Sequence, residues 1–211
     1  MKIQDMQSMR GEIRMAKLFR SAILLASCLG QLVLSSSSTW AQTTERMELG
    51  ASYSFVNANA PPGDCGCFSM NGGSGWFSYN FGHGLGLVGE VGSQYASNIN
   101  RTTTDLTLTS FLVGPRHTWH PGHRIAPFGQ VLVGGAHASG ALTPISSGLP
   151  VSENAFAMAA GGGVDVALGR HVALRLLQAD YYLTRFDNGV NDHQNNLRIG
   201  EGIVFRFGRE R

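Results

Sequence analysis

From Met47 onward the chain alternates large apolar residues with small or polar ones, the period of two that sends successive side chains to opposite faces of a β-strand. The pattern predicts eight strands. The first covers 46–56, with Met47, Leu49, Ala51, Tyr53 and Phe55 on one face and Glu48, Gly50, Ser52 and Ser54 on the other. The second, 73–81, sets Phe77, Tyr79 and Phe81 against Trp76, Ser78 and Asn80. The third, 85–95, sets Leu85, Leu87, Val91 and Tyr95 against Glu90, Gly92 and Gln94. A fourth runs over 106–119 without a clean division of faces. The fifth, 125–137, places Val131 and Val133 opposite Gln130, Leu132 and Gly134. In the sixth, 155–168, Phe156, Met158, Ala160, Val164, Val166 and Leu168 oppose Ala157, Ala159, Gly161, Gly163 and Asp165.

The last two strands carry local conflicts. In the seventh, 172–186, Arg175 and Asp180 have opposite parity, so a β-bulge is expected if both side chains point inward. In the eighth, 197–207, Glu201 shares the face of Leu197, Ile199, Ile203, Phe205 and Phe207. A bulge at Gly200 or Gly202 is expected to re-aim it, because a carboxylate facing lipid is costly.

The connections alternate in length. Long ones fall at about 57–72, 96–104, 138–154 and 187–196, and short ones at Gly82-His83-Gly84, around Pro121 and at Gly169-Arg170-His171. Long loops outside and short turns in the periplasm are the rhythm of an outer-membrane barrel, and an even strand count leaves both termini periplasmic. A soluble lipocalin-like binding protein would point its apolar face inward and its charges outward; here the charged residues fall on the small-residue face. The expected fold is all-β, an eight-stranded antiparallel up-and-down transmembrane β-barrel.

These eight segments and the ending Gly202-Ile203-Val204-Phe205-Arg206-Phe207 resemble the outer membrane protein A type β-barrel superfamily. The resemblance covers about Glu45 to Gly208. It implies that Gly202, Phe205 and Phe207 belong to an aromatic-rich assembly signal, with the barrel assembly machinery and outer-membrane lipid as partners. Two departures stand out: Gly208 to Arg211 follow Phe207, and Gly200 occupies a place where that signal usually has a polar residue. The periplasmic tethering role of longer relatives is not carried over.

Composition agrees with β structure: of 211 residues, 28 are Gly and only 14% are charged. The longest apolar run, 21–34, follows Lys17 and Arg20, precedes Ser35 to Ser38, and falls short of the ~20 residues of a spanning helix. It reads as a secretory signal over 1–41, with Thr39-Trp40-Ala41 before a mature start at Gln42 and Met15 as the better start of translation. Leu25-Ala26-Ser27-Cys28 also resembles a lipobox, but the apolar run continues past Cys28. Both lysines lie in the signal, so the mature chain, 42–211, has 11 Arg against 12 Asp plus Glu, a balance that offers nothing for nucleic acid.

An eight-stranded barrel has room inside for side chains and little else, so inward charges must pair. Glu90, Asp165 and Asp180 are expected to meet Arg116, Arg175, Arg198 and Arg206 as a structural network, with a narrow passive pore past Glu90 and Arg116 as the competing reading. Cys65-Gly66-Cys67 in the first long loop leaves three readings open: a strained disulfide, an intermolecular bridge, or a metal or redox site. His117, His120 and His123 crowd one turn and read as solvated turn residues ahead of a metal site.

Trp76, Tyr79, Phe81, Trp119, Tyr181, Tyr182 and Phe207 lie near strand ends and read as interfacial anchors. His137, with Ser139 next but one, invites comparison with outer-membrane lipid-modifying hydrolases, but no characteristic motif of theirs surrounds it. The chain is accordingly read as a monomer without cofactor, metal or enzymatic activity. Its expected role is structural or surface-interacting, with extracellular ligands, if any, met by loops rich in Gly, Ser, Asn and Pro.

Overall fold

The computed structural model describes residues 45–58, 68–97, 105–140, 151–186 and 193–209. Within them the chain forms eight strands: β1 (Glu45–Ala58), β2 (Phe68–Gly82), β3 (Leu85–Ala96), β4 (Leu106–Thr118), β5 (Ile125–Gly140), β6 (Val151–Ala167), β7 (Val172–Thr184) and β8 (Gln194–Arg209). Each pairs antiparallel with its neighbours in sequence, and β8 returns to β1 to close the barrel. The closing ladder runs from Glu45↔Arg209 to Asn57↔Leu197. Closure pairs each strand with two neighbours along most of its length, while β6 from Val151 to Ala155 pairs with β5 alone. Cys28, Cys65 and Cys67, Met15 and the whole expected signal lie outside the described residues.

All eight predicted segments are strands, and several extend further than alternation indicates. β2, β6 and β8 begin at Phe68, Val151 and Gln194. The early part of β2, Asn71-Gly72-Gly73-Ser74, has no apolar pattern to read, yet its backbone pairs fully with β1 and β3. A Cβ on Gly72 would come within 2.0 Å of the Ser93 carbonyl oxygen, so the neighbouring strand approaches where only glycine fits. The turn between β2 and β3 needs three successive left-handed residues, Gly82 (φ 110°), His83 (φ 53°) and Gly84 (φ 78°), two of them glycine.

The alternating faces hold through most strands, with Leu49, Tyr53, Phe77, Leu87, Val91, Val131, Val133, Phe156, Ile199 and Phe205 outward and Glu90, Gln94 and Leu132 buried. β4 resisted division because its inner face is partly apolar: Leu106, Leu108 and Leu112 are buried alongside Ser110 and Arg116, while Phe111 and Val113 face out. In β6 the expected outward position of Val166 is corrected. It is 4% exposed, beside the register shift between Val164 and Asp165.

The bulge expected in β7 lies between Arg175 and Gln178, where the register to β8 shifts. Leu176 and Leu177 both face outward there, and Arg175, Gln178 and Asp180 all turn inward. The bulge expected at Gly200 or Gly202 in β8 does not form. The β1–β8 ladder runs unbroken through Ser52↔Gly202, Tyr53↔Glu201 and Ser54↔Gly200, so Glu201 stays on the exposed face. A single irregularity serves both strands: the extra residue sits in β7, and β8 keeps its parity.

Candidate functional site

The inward residues of β1 and of β3 to β8 form groups of hydrogen-bonded charged and amide side chains. Arg175 on β7 is fully buried and binds Asp165 on β6 through both carboxylate oxygens, Nε to Oδ1 at 2.8 Å and Nη2 to Oδ2 at 3.1 Å. Its Nη1 donates to Gln178 Oε1 at 2.7 Å. The guanidinium carbon stands 4.0 Å from the Trp76 ring and 4.2 Å from the Phe128 ring, so two aromatic side chains enclose it. Gln178 Nε2 donates to Asp180 Oδ2 at 2.7 Å and links this pair to the next.

Arg198 on β8 donates to Asp180 Oδ2 from Nη2 at 2.7 Å and from Nε at 3.1 Å, and to Glu90 on β3 from Nη1. It thereby joins β8 and its neighbour β7 to a strand on the far side of the lumen. A third group centres on Glu48 of β1, which accepts from Arg206 Nε at 3.1 Å and lies 3.6 Å from Arg116 Nη1. Arg116 also donates to Gln130 Oε1 from Nη2 at 2.8 Å and from Nε at 3.1 Å.

The sequence named Glu90, Arg116, Asp165, Arg175, Asp180, Arg198 and Arg206 for this region but missed Glu48, the acid that Arg116 and Arg206 share. Its parity with Gly50 and Ser52 was the signal available. Trp76 is buried at 2% exposure, as its inward position in the alternation implies and against its reading as an interfacial anchor, and Tyr182, also expected at the interface, is corrected to the interior at 1%. Tyr181 and Tyr182 are consecutive and cannot share a face. Trp76 fits because its register partner is Gly50, where a Cβ would meet the indole at 2.0 Å.

Toward the strand ends that adjoin the long connections the interior changes character. Val56, Ala58, Met70, Ala96, Leu106, Leu108, Ala136 and Ala138 are buried there, with Phe186 just beyond β7. Outside, Tyr53 and Tyr181 donate from their hydroxyls to Asn71 and Asn195 on adjoining strands and Tyr95 to Asp105 just before β4, an amphipathic belt near the same end. Near the short turns, Tyr79 packs edge-on to Phe81 at 5.4 Å and His117 to Trp119 at 5.0 Å. The His120 and His123 rings pack edge-on at 5.6 Å. No group of three metal-ligating side chains occurs among the described residues.

His137 has company that the sequence did not reveal. Asn154 lies directly opposite it on β6, with Oδ1 2.8 Å from Nδ1, and Ser152 Oγ lies 3.4 Å from Nε2. Ser139, the neighbour noted in sequence, pairs with Ser152 across the ladder. In the assembly-signal region, Phe205 and Phe207 face outward on β8 beside Leu49 and Met47 of β1. At Gly202 a Cβ would sit 2.3 Å from the Ala51 carbonyl oxygen.

This barrel is similar to known structures. Neisserial surface protein A superposes with a TM-score of 0.55 at 15% identity, over 76% of this chain and 97% of that one. The outer membrane protein OprG from Pseudomonas aeruginosa superposes with a TM-score of 0.50 at 11% identity, over 81% of this chain and 100% of that one. No curated protein sequence matches the chain. At such identities the likeness establishes the fold alone. The family model described as outer membrane protein beta-barrel domain matches residues 26–205, and the chain belongs to that family.

Proposed function

We propose that the exported chain resides in a bacterial outer membrane as a monomeric barrel with a filled interior, in a structural or surface-interaction role. The observation that carries this reading is the span from Asp180 through Arg198 to Glu90, which crosses the lumen between strands on opposite sides of the barrel. With Trp76, Tyr182 and Leu132 buried around it, this leaves side chains where a pore would need water. The outward band of Leu, Val, Ile and Phe favours lipid as the surrounding medium, and the tyrosine belt suits the outer interface. The long connections then face the exterior and carry any recognition of ligands. Phe205 and Phe207 would present the assembly signal to the barrel assembly machinery.

The test is to express the full chain in a diderm host, isolate the outer-membrane fraction and compare boiled with unboiled detergent samples on a gel. A heat-modifiable band in that fraction is expected, as is a silent trace when the purified barrel is reconstituted in a planar bilayer. A soluble periplasmic product would overturn the membrane reading, and discrete conductance steps would overturn the filled interior.

A further inference from the structure

His137, Ser152 and Asn154 come from two adjacent strands and meet on the outer wall of the barrel. In the ladder His137 faces Asn154, and Ser152 is the diagonal neighbour two residues further toward the connecting loop. His137 Nδ1 lies 2.8 Å from Asn154 Oδ1, and its Nε2 lies 3.4 Å from Ser152 Oγ. A carbonyl oxygen only accepts, so Nδ1 carries the proton and donates it to Asn154. The Nε2 lone pair is then aimed at the Ser152 hydroxyl. This is the order of contacts that serine nucleophiles use: a third group orients the imidazole, and the free nitrogen takes the hydroxyl proton. A separation of 3.4 Å suits an unliganded site, where such contacts are commonly loose.

The surroundings indicate the substrate. Toward the middle of the barrel, the outward residues are Val133 on β5, Phe156 on β6 and Phe111 on β4, all exposed and apolar. Beyond the trio the strands end at Gly140 and Val151, next to the connection of residues 141–150. The three side chains thus stand where the apolar belt gives way to the polar rim. In a lipid leaflet that is the level of the ester linkages between acyl chains and headgroups.

We propose that Ser152, His137 and Asn154 form an esterase site that hydrolyses acyl esters of lipids at the outer leaflet. Ser152 Oγ attacks the ester carbonyl carbon while its proton passes to His137 Nε2. The tetrahedral adduct collapses, the alcohol departs with the proton from His137, and the acyl group stays on Ser152. Water then attacks that acyl ester, gives a proton to His137, and releases the fatty acid as Ser152 recovers its proton. Asn154 is a positioning residue; being neutral, it orients the imidazole without balancing its charge. The site rests on the reading that the long connections lie at the exterior.

The experiment uses the full chain purified from outer membranes in detergent, with the heat-modifiable band as proof of folding. The folded protein is treated with a fluorophosphonate, which esterifies activated serines, and separately mixed with micelles containing phosphatidylethanolamine. Labelling on the peptide bearing Ser152 is expected, together with release of free fatty acid. Ser152→Ala abolishes both, His137→Gln slows labelling by about 100-fold or more, and Ser139→Ala changes neither. Asn154→Ala lowers kcat while leaving KM in place. A folded barrel that takes up no label, or that labels equally as Ser152→Ala, overturns the site. Labelling without fatty-acid release overturns the lipid substrate. A chain with no heat-modifiable form sinks the membrane reading and this inference with it.

Discussion

The two halves of the barrel interior solve the same packing problem with different chemistry. Toward the short turns and the middle, the lumen holds Glu48, Glu90, Arg116, Asp165, Arg175, Asp180 and Arg198, locked by directed hydrogen bonds and by aromatic rings against the guanidinium groups. Toward the long connections it is more apolar, holding Val56, Met70, Leu106, Leu108 and a set of alanines beside the buried Thr184 and Asn196. Apolar packing tolerates changes in shape that conserve volume, whereas a buried ion pair is stabilising only while both partners are present. The charged half therefore specifies geometry, and the apolar half fills space beneath the loops.

Removing one partner from the charged half should have the largest effect. Arg175→Met leaves Asp165 buried without its cation and should lower stability by about 3–5 kcal/mol, read from urea unfolding in detergent micelles. Adding Asp165→Leu to that variant should restore most of the loss, because the uncompensated charge is then gone. If the double variant were no better than the single one, lost packing against Trp76 and Phe128 would be the dominant cost.

A deletion in the apolar half comes next. Leu108→Ala should lower stability by about 2–4 kcal/mol in the same measurement. A loss as large as that of Arg175→Met, or none at all, would erase the distinction between the halves.

The smallest expected effect lies on the outer wall, where Glu201 faces outward between Ile199 and Ile203 and opposite Tyr53. Replacing it with Leu should raise stability in lipid vesicles by about 1 kcal/mol, since a carboxylate on that face costs less than a cation would. No gain would show that the carboxylate at this position is already compensated.

Much of this architecture was legible because strand alternation is a local property. Leu49, Phe77, Val91 and Val133 could be assigned to the outside from their neighbours alone. The bulge in β7 could be expected from the parity of Arg175 and Asp180. Where alternation was weak, as at the start of β2 from Phe68 to Gly72, the strand was missed, since backbone pairing there does not depend on side-chain pattern. The exposure of Glu201 was misjudged for a related reason. Parity suggested a bulge in each of two paired strands, and only the register shows that the one in β7 suffices and that β8 has none.

The candidate site divides in the same way. That Glu90, Asp165 and Asp180 share the lumen with arginines follows from parity. That Arg198 bridges Glu90 and Asp180 while Arg116 and Arg206 share Glu48 depends on shear around the closed barrel, which sets which inward residues stand at one height.

Sequence alone therefore determined the strand count, the all-β class, the outward apolar band and the inward placement of charge, because a period of two is written in neighbouring residues. The tertiary structure decided which charges pair and which half of the lumen is apolar. It also decided that Ser152 and Asn154 stand beside His137 across a hairpin. Those outcomes depend on inter-strand register and closure, which couple residues far apart in the chain and leave no local pattern to read.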